Sequence, residues 1–147
     1  MKRFVLFLIL FFCVNFFPQQ SVLAFNPDLL NEKIELETIY SKAASNGKLS
    51  KKDLSKLNHY KADALSMLES KDSNIVPILY LSGNTYRVIN KKEDAIECYR
   101  TIVEYFPTAP VVRKSIMYLR KYGITYSTIE RNSDGKIKIL PDATPES

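Results

Sequence analysis

Apolar positions recur along most of this chain with the period of an α-helix, and the breaks between them carry helix-stop and turn residues. Asn26 can cap a first helix with Pro27 at its first position and Asp28 and Glu32 near the positive end of its dipole. Leu29, Leu36, Ile39, Tyr40 and Ala43 then share one stripe, and Asn46-Gly47 supplies a left-handed stop, so the pattern predicts a helix over 27–45. Ser50, with Asp53 three residues on, resembles a capping box and opens a second helix over 51–69, striped by Leu54, Leu57, Ala64, Leu65 and Leu68. A third helix starts at Ser73, tolerates Pro77 in its first turn and runs to Ile89. After the short turn Asn90-Lys91-Lys92, a fourth begins at Glu93 and sets Ala95, Cys98, Tyr99, Ile102, Val103 and Phe106 on one side before Pro107 ends it. So short a connection permits only antiparallel neighbours. Thr108 as cap and Pro110 in the first turn predict a fifth helix, carrying Val112, Ile116 and Leu119 to the stop at Tyr122-Gly123.

Beyond Gly123 the period changes to two. Ile124, Tyr126 and Thr128 alternate with polar residues, Asn132-Ser133-Asp134-Gly135 signals a turn, and Ile137 and Ile139 alternate with lysines. A two-stranded hairpin follows, followed by a loose end from Pro141 to Ser147. Because an isolated hairpin is marginal in water, it must pack on the helices or meet a partner.

The amino terminus reads differently from everything after it. Lys2 and Arg3 precede an apolar run from Phe4 to Phe17, then Pro18 and two glutamines, then Val22-Leu23-Ala24 with small residues where a signal peptidase needs them. The run is too short to span a bilayer, which takes about 20 apolar residues. The expected organisation is a signal peptide over 1–24, an all-α domain of antiparallel helical hairpins over 25–123, and a hairpin or irregular tail over 124–147. The expected location is extracytoplasmic, periplasmic or secreted. Two alternatives stand beside it. Val22 to Phe25 resume the hydrophobicity after the polar break, so an uncut segment would anchor the protein in the membrane. The stretch from Ala24 to Leu30 is similar to the mature starts of some cyanobacterial lumenal proteins, which gives a thylakoid lumen.

Charge and inventory narrow the chemistry. The chain has 147 residues and a formal charge of +5, and loses Lys2 and Arg3 with the signal. That surplus is small and interspersed with acids, unlike the clustered basic face of a nucleic-acid protein. His59 is the lone imidazole, there is no tryptophan, and Cys98 is the one cysteine outside the export run. An intramolecular disulfide, a redox pair or a Cys/His zinc cluster cannot be assembled from these residues. No phosphate-binding glycine loop or nucleophile motif occurs, and His59 sits among Lys51, Lys52, Lys56 and Lys61 on a helix face expected to be solvated. Glu93, Asp94 and Glu97 cluster at a helix start, where the dipole explains them without a metal. Neither enzyme activity nor a cofactor is expected; a small secreted hydrolase or toxin, with His59 as its acid or base, is the alternative from another class.

Residues 76–109 resemble one tetratricopeptide repeat, a helical hairpin of about 34 residues. Gly83, Tyr86, Ala95, Tyr99, Ile102 and Pro107 carry the resemblance, with Leu79 at the usual tryptophan and Ser82 at the leucine before the glycine. In the family the glycine admits close helix approach, the alanine fits against it, and the aromatics fill the wedge. The resemblance implies a divergent hairpin ahead of the repeat and a capping helix behind it. It also implies a concave surface on which Tyr80, Asn84 and Arg87 share one helical face and grip an extended peptide by stacking, amide hydrogen bonds and a guanidinium fork. Asn84 falls where carboxylate-clamp members carry asparagine, and Tyr80 where they carry lysine. The implied role is an exported, non-catalytic adaptor or assembly factor for an envelope or lumenal complex. Its partner would be a protein rather than nucleic acid, with membrane association through the amino-terminal segment as a further possibility.

Overall fold

The computed structural model describes residues 27–131, 133 and 137–142. The expected signal over 1–24, most of the Asn132–Gly135 turn and the last five residues lie outside them. Five α-helices and a β-hairpin make up the described chain: α1 Pro27–Asn46, α2 Lys51–Ser66, α3 Ile75–Val88, α4 Lys92–Tyr105, α5 Val112–Lys121, then β1 Thr128–Arg131 and β2 Ile137–Leu140. A single 3-10 turn, Leu68–Ser70, follows α2. The fold is all-α, built of antiparallel helical hairpins with a short β-hairpin at its carboxyl end.

Local chemistry accounts for most of the boundaries. The Ser50 hydroxyl accepts from the Asp53 amide at 3.1 Å, and the Asp53 carboxylate in turn takes a 3.1 Å ion pair from Lys42 of α1, so the α2 cap also ties the first hairpin together. The second helix is shorter than its apolar stripe suggested. It ends at Ser66 because the chain tightens into the 3-10 turn and leaves it through Lys71 at φ +51°. Three residues, Ile89 to Lys91, join α3 to α4 through Asn90 at φ +60°, and α4 starts at Lys92, one residue before the expected Glu93.

The fifth helix departs further from expectation. Thr108 does not cap it and Pro110 is not inside it; 107–111 is a pair of successive turns, with the Ala109 amide donating to the Phe106 carbonyl at 2.9 Å and the Val112 amide to Ala109 at 3.0 Å. Proline at 110 disfavours the helical region for Ala109 before it, which delays the helix to Val112. At its other end, Gly123 at φ +82° lets the Ile124 amide return to Leu119 at 3.0 Å, a stop that a side-chain-bearing residue would strain.

Helix α3 is the hub, packing against α1, α2 and α4, while α5 packs on α4. The core follows that order. Leu36 and Ile39 of α1, Leu57 and Ala64 of α2, Ile75, Ile78, Leu79 and Tyr86 of α3, Cys98, Tyr99, Ile102 and Val103 of α4, and Leu119 of α5 are buried together. The β-hairpin packs on α4 through β2. Its strands pair antiparallel, with Thr128 opposite Leu140, so Ile124 and Tyr126 precede the ladder instead of opening it. Tyr126 is buried even so, its hydroxyl donating to Glu104 of α4 at 3.3 Å, and Ile139 closes over the same surface.

Candidate functional site

Gly83 determines how closely α3 and α4 meet. A β-carbon built there would lie 2.9 Å from Tyr99 Cε1 and 3.1 Å from Cys98 Cβ, so the helices are in contact across a hydrogen atom. Ala95, expected as the small residue opposite, is buried in the same core, but the nearest atoms belong to Cys98 and Tyr99, about one turn further along α4. Cys98 is inert where it lies: burial pushes its thiol up to about 12, so almost none is thiolate at neutral pH.

Tyr99, brought in by this approach, organises the inner face of α3. Its hydroxyl donates to Asn84 Oδ1 at 2.9 Å, its ring meets Tyr80 edge-on at 6.2 Å between centroids, and it stacks on Tyr118 of α5 at 5.0 Å. The Arg87 guanidinium lies over the other aromatic of that pair, 4.6 Å from the Tyr118 centroid. Burial raises the Tyr99 and Tyr80 hydroxyls above their ordinary range, so both stay protonated donors. Tyr86 faces the opposite way, toward α2, and donates to Asn58 at 2.8 Å. Ile102 lies in the core with it, and Pro107 follows α4 by two residues.

The three expected binding residues therefore stand on one face but have different fates. Asn84 is held by Tyr99, and Arg87 is laid across Tyr118 with its buried Nε lacking a hydrogen-bond partner. Tyr80 alone of the three lines a groove, about 590 Å³ in volume, between α1, the first half of α3 and the turn before α5. Val76, Pro77 and Leu81 join it from α3, and Phe106, Ala109, Pro110 and Val111 from the turn. Lys33 and Glu37 of α1, 3.8 Å apart, form its polar rim. A trough of this size with an apolar lining and a charged edge suits an apolar group or an extended segment. Its far wall is formed by residues 108–111, which the helical pattern places in α5 and the structure places in the turn before it; the prolines Pro107 and Pro110 mark that turn in the sequence.

The basic face of α2 is also not what its composition suggested. Lys61 keeps only 14% of its side chain exposed; its ammonium reaches Asp94 at 2.5 Å and Glu97 at 2.8 Å on α4 and lies 5.2 Å from the Tyr86 centroid. The acidic cluster at the α4 start is thus partly neutralised across the helix interface, in addition to serving the dipole. Lys56 likewise pairs with Glu35 of α1 at 2.5 Å. His59 is 68% exposed, 3.2 Å from Asp63 one turn along the same helix, and its ring lies 5.8 Å from that of Tyr60. Among the described residues no group of three potential ligands could hold a metal, and no helix is long and apolar enough to cross a membrane. In comparisons with protein-family models, curated proteins and solved structures, nothing matches this chain.

Proposed function

We infer that the chain is an exported, tetratricopeptide-like adaptor that holds an extended apolar segment of a partner protein and helps assemble or retain an envelope or lumenal complex, without catalysing a reaction. One observation carries the reading: the groove beside Tyr80 is apolar along its length and is walled by three separate elements already held by the core. An aromatic in such a trough offers a large contact area at low entropic cost, and Lys33 and Glu37 at the rim can orient the backbone or terminus of a bound segment. The inertness of the buried Cys98 thiol supports a binding role over thiol-based hydrolysis. Arg87 serves to brace the site, since its charge is spent on Tyr118.

A photo-crosslinking phenylalanine analogue at position 108, on the exposed far wall of the groove and in place with Tyr80 either intact or changed, followed by capture from the native membrane fraction, tests the groove directly. The expected result is a discrete crosslinked protein whose capture falls at least about tenfold in Tyr80→Ala, the range for a central interface aromatic. Capture that survives Tyr80→Ala but is abolished by apolar changes on α5 would mean that the protein completes another helical stack end to end. The export reading has its own test. Sequencing the amino terminus of the purified protein is expected to give a start near Phe25; a start at Met1 instead establishes the membrane-anchored form.

A further inference from the structure

We propose that the outward face of α5 is a docking surface for an anionic membrane, a role separate from the groove and independent of whether the export run is cut. Helix α5 carries Arg113, Lys114, Arg120 and Lys121 and no acid. At about 100° per residue, these four and Met117 occupy an arc of roughly 120°, with Met117 central, the arginines on one side and the lysines on the other. All five are exposed, Met117 at 46%. Lys92 extends the patch, its ammonium lying 5.8 Å from the Tyr122 ring at the end of the helix.

The contrast with the other helices is what singles out this face. Lys33 and Lys42 of α1 and Lys56 and Lys61 of α2 are engaged in ion pairs with Glu35, Glu37, Asp53, Asp94 and Glu97, leaving Lys51 and Lys52 at the start of α2 outside them, whereas among the described residues no ion pair within 4 Å engages any of the four cations that share one face of α5. Asp142 is the acid that feels Arg120, and it spends its carboxylate on the Ser127 amide and hydroxyl. The opposite side of α5 is fully occupied, by Val112, Ser115 and Leu119 in the core and Tyr118 against Tyr99. An acidic peptide would need a concave seat, and the groove described above lies elsewhere. A convex helix with its cations spread over about 12 Å, at about 1.5 Å per residue, matches a flat layer of many phosphate headgroups, with Met117 entering their apolar boundary.

The test uses the full chain and flotation with vesicles of phosphatidylcholine alone, or of equal parts phosphatidylcholine and phosphatidylglycerol, at about 0.1 M salt. Any affinity of the amino-terminal run is common to all samples, so the increment between the two vesicle types is the readout. Arg113→Gln, Lys114→Gln and Lys121→Gln together should lower the anionic increment on the order of a hundredfold, at about fivefold per cation. The same charge change at Lys48, Lys51 and Lys52 should leave most of it in place. Circular dichroism confirms that both variants are folded, and raising the salt should abolish the wild-type increment without any substitution. Equal wild-type binding to both vesicle types overturns the proposal, as does equal loss in the two variants. Tighter binding to polyglutamate than to anionic vesicles also overturns it, in favour of an acidic protein partner.

Discussion

Tyr99→Ala is expected to remove about 4 kcal/mol of stability, in the range for deleting a fully buried aromatic side chain. The ring has no exposed surface, and three other elements of the site rest on it: Asn84 through its hydroxyl, Tyr80 through an edge contact and Tyr118 through a stack. Truncation leaves a cavity at the junction of α3, α4 and α5, and the Asn84 carbonyl loses its donor. Tyr99→Phe separates the contributions. It keeps the ring and its two aromatic contacts and gives up one hydrogen bond, so the expected cost is about 1 kcal/mol. Urea midpoints of the two variants read the difference; a Tyr99→Ala protein within about 1 kcal/mol of wild type would mean that the junction can collapse around the missing ring. Partner capture should also suffer in Tyr99→Ala more than stability alone explains, because Tyr80 loses the neighbour that fixes its rotamer in the groove.

Gly83→Val is expected to cost about 3 kcal/mol, the upper range for overpacking a well-filled interface. The decisive contact is not the one to Tyr99, whose ring could tilt, but the 3.1 Å approach to Cys98 Cβ. That atom is attached to the α4 backbone and cannot swing away, so relief requires α3 and α4 to separate and the Asn84–Tyr99 hydrogen bond to stretch with them. Gly83→Ala should fall closer to neutral, since the helix propensity gained over glycine, about 1 kcal/mol, offsets part of the crowding. Thermal melts should show a fall on the order of 10 °C for the valine variant. An unchanged midpoint would show that the helices are not held at the distance described. Because the two positions touch, Gly83→Ala in a Tyr99→Ala background should cost less than the sum of the separate effects, the added carbon entering the space the ring has left.

Much of the architecture is legible in the sequence, and the reasons are local. Apolar spacing, the Ser50 cap, the Asn46-Gly47 and Tyr122-Gly123 stops and the prolines depend on residues within one or two turns of each other, so their consequences are written in contiguous sequence. The hairpin of α3 and α4 followed from a three-residue link that permits no other geometry. The same locality explains why α2 and α5 differ from the pattern of their apolar positions. A continued apolar stripe does not encode the tightening after Ser66, and Pro110, a residue that also suits a first helical turn, instead delays the helix through its effect on Ala109.

The site was legible only in part. Placing Tyr80, Asn84 and Arg87 on one face needs helical periodicity alone, and that placement stands. Which of them remains available to a ligand depends on Tyr99 and Tyr118, twelve or more residues away, and on where their rings go once Gly83 has set the distance between helices. Lys61 makes the same point. Nothing in its neighbourhood along the chain distinguishes it from Lys51 or Lys52, yet contact with α4 gives it two carboxylates and an aromatic face, while those two stay exposed. Helix positions, stops and the unusual emptiness of α5 in acids were determined by the sequence itself, because each is a property of neighbours along the backbone. The groove, the bracing role of Arg87 and the division of cations into paired and free were decided only in three dimensions, because side chains compete for partners across helices and the close approach at Gly83 selects the winners.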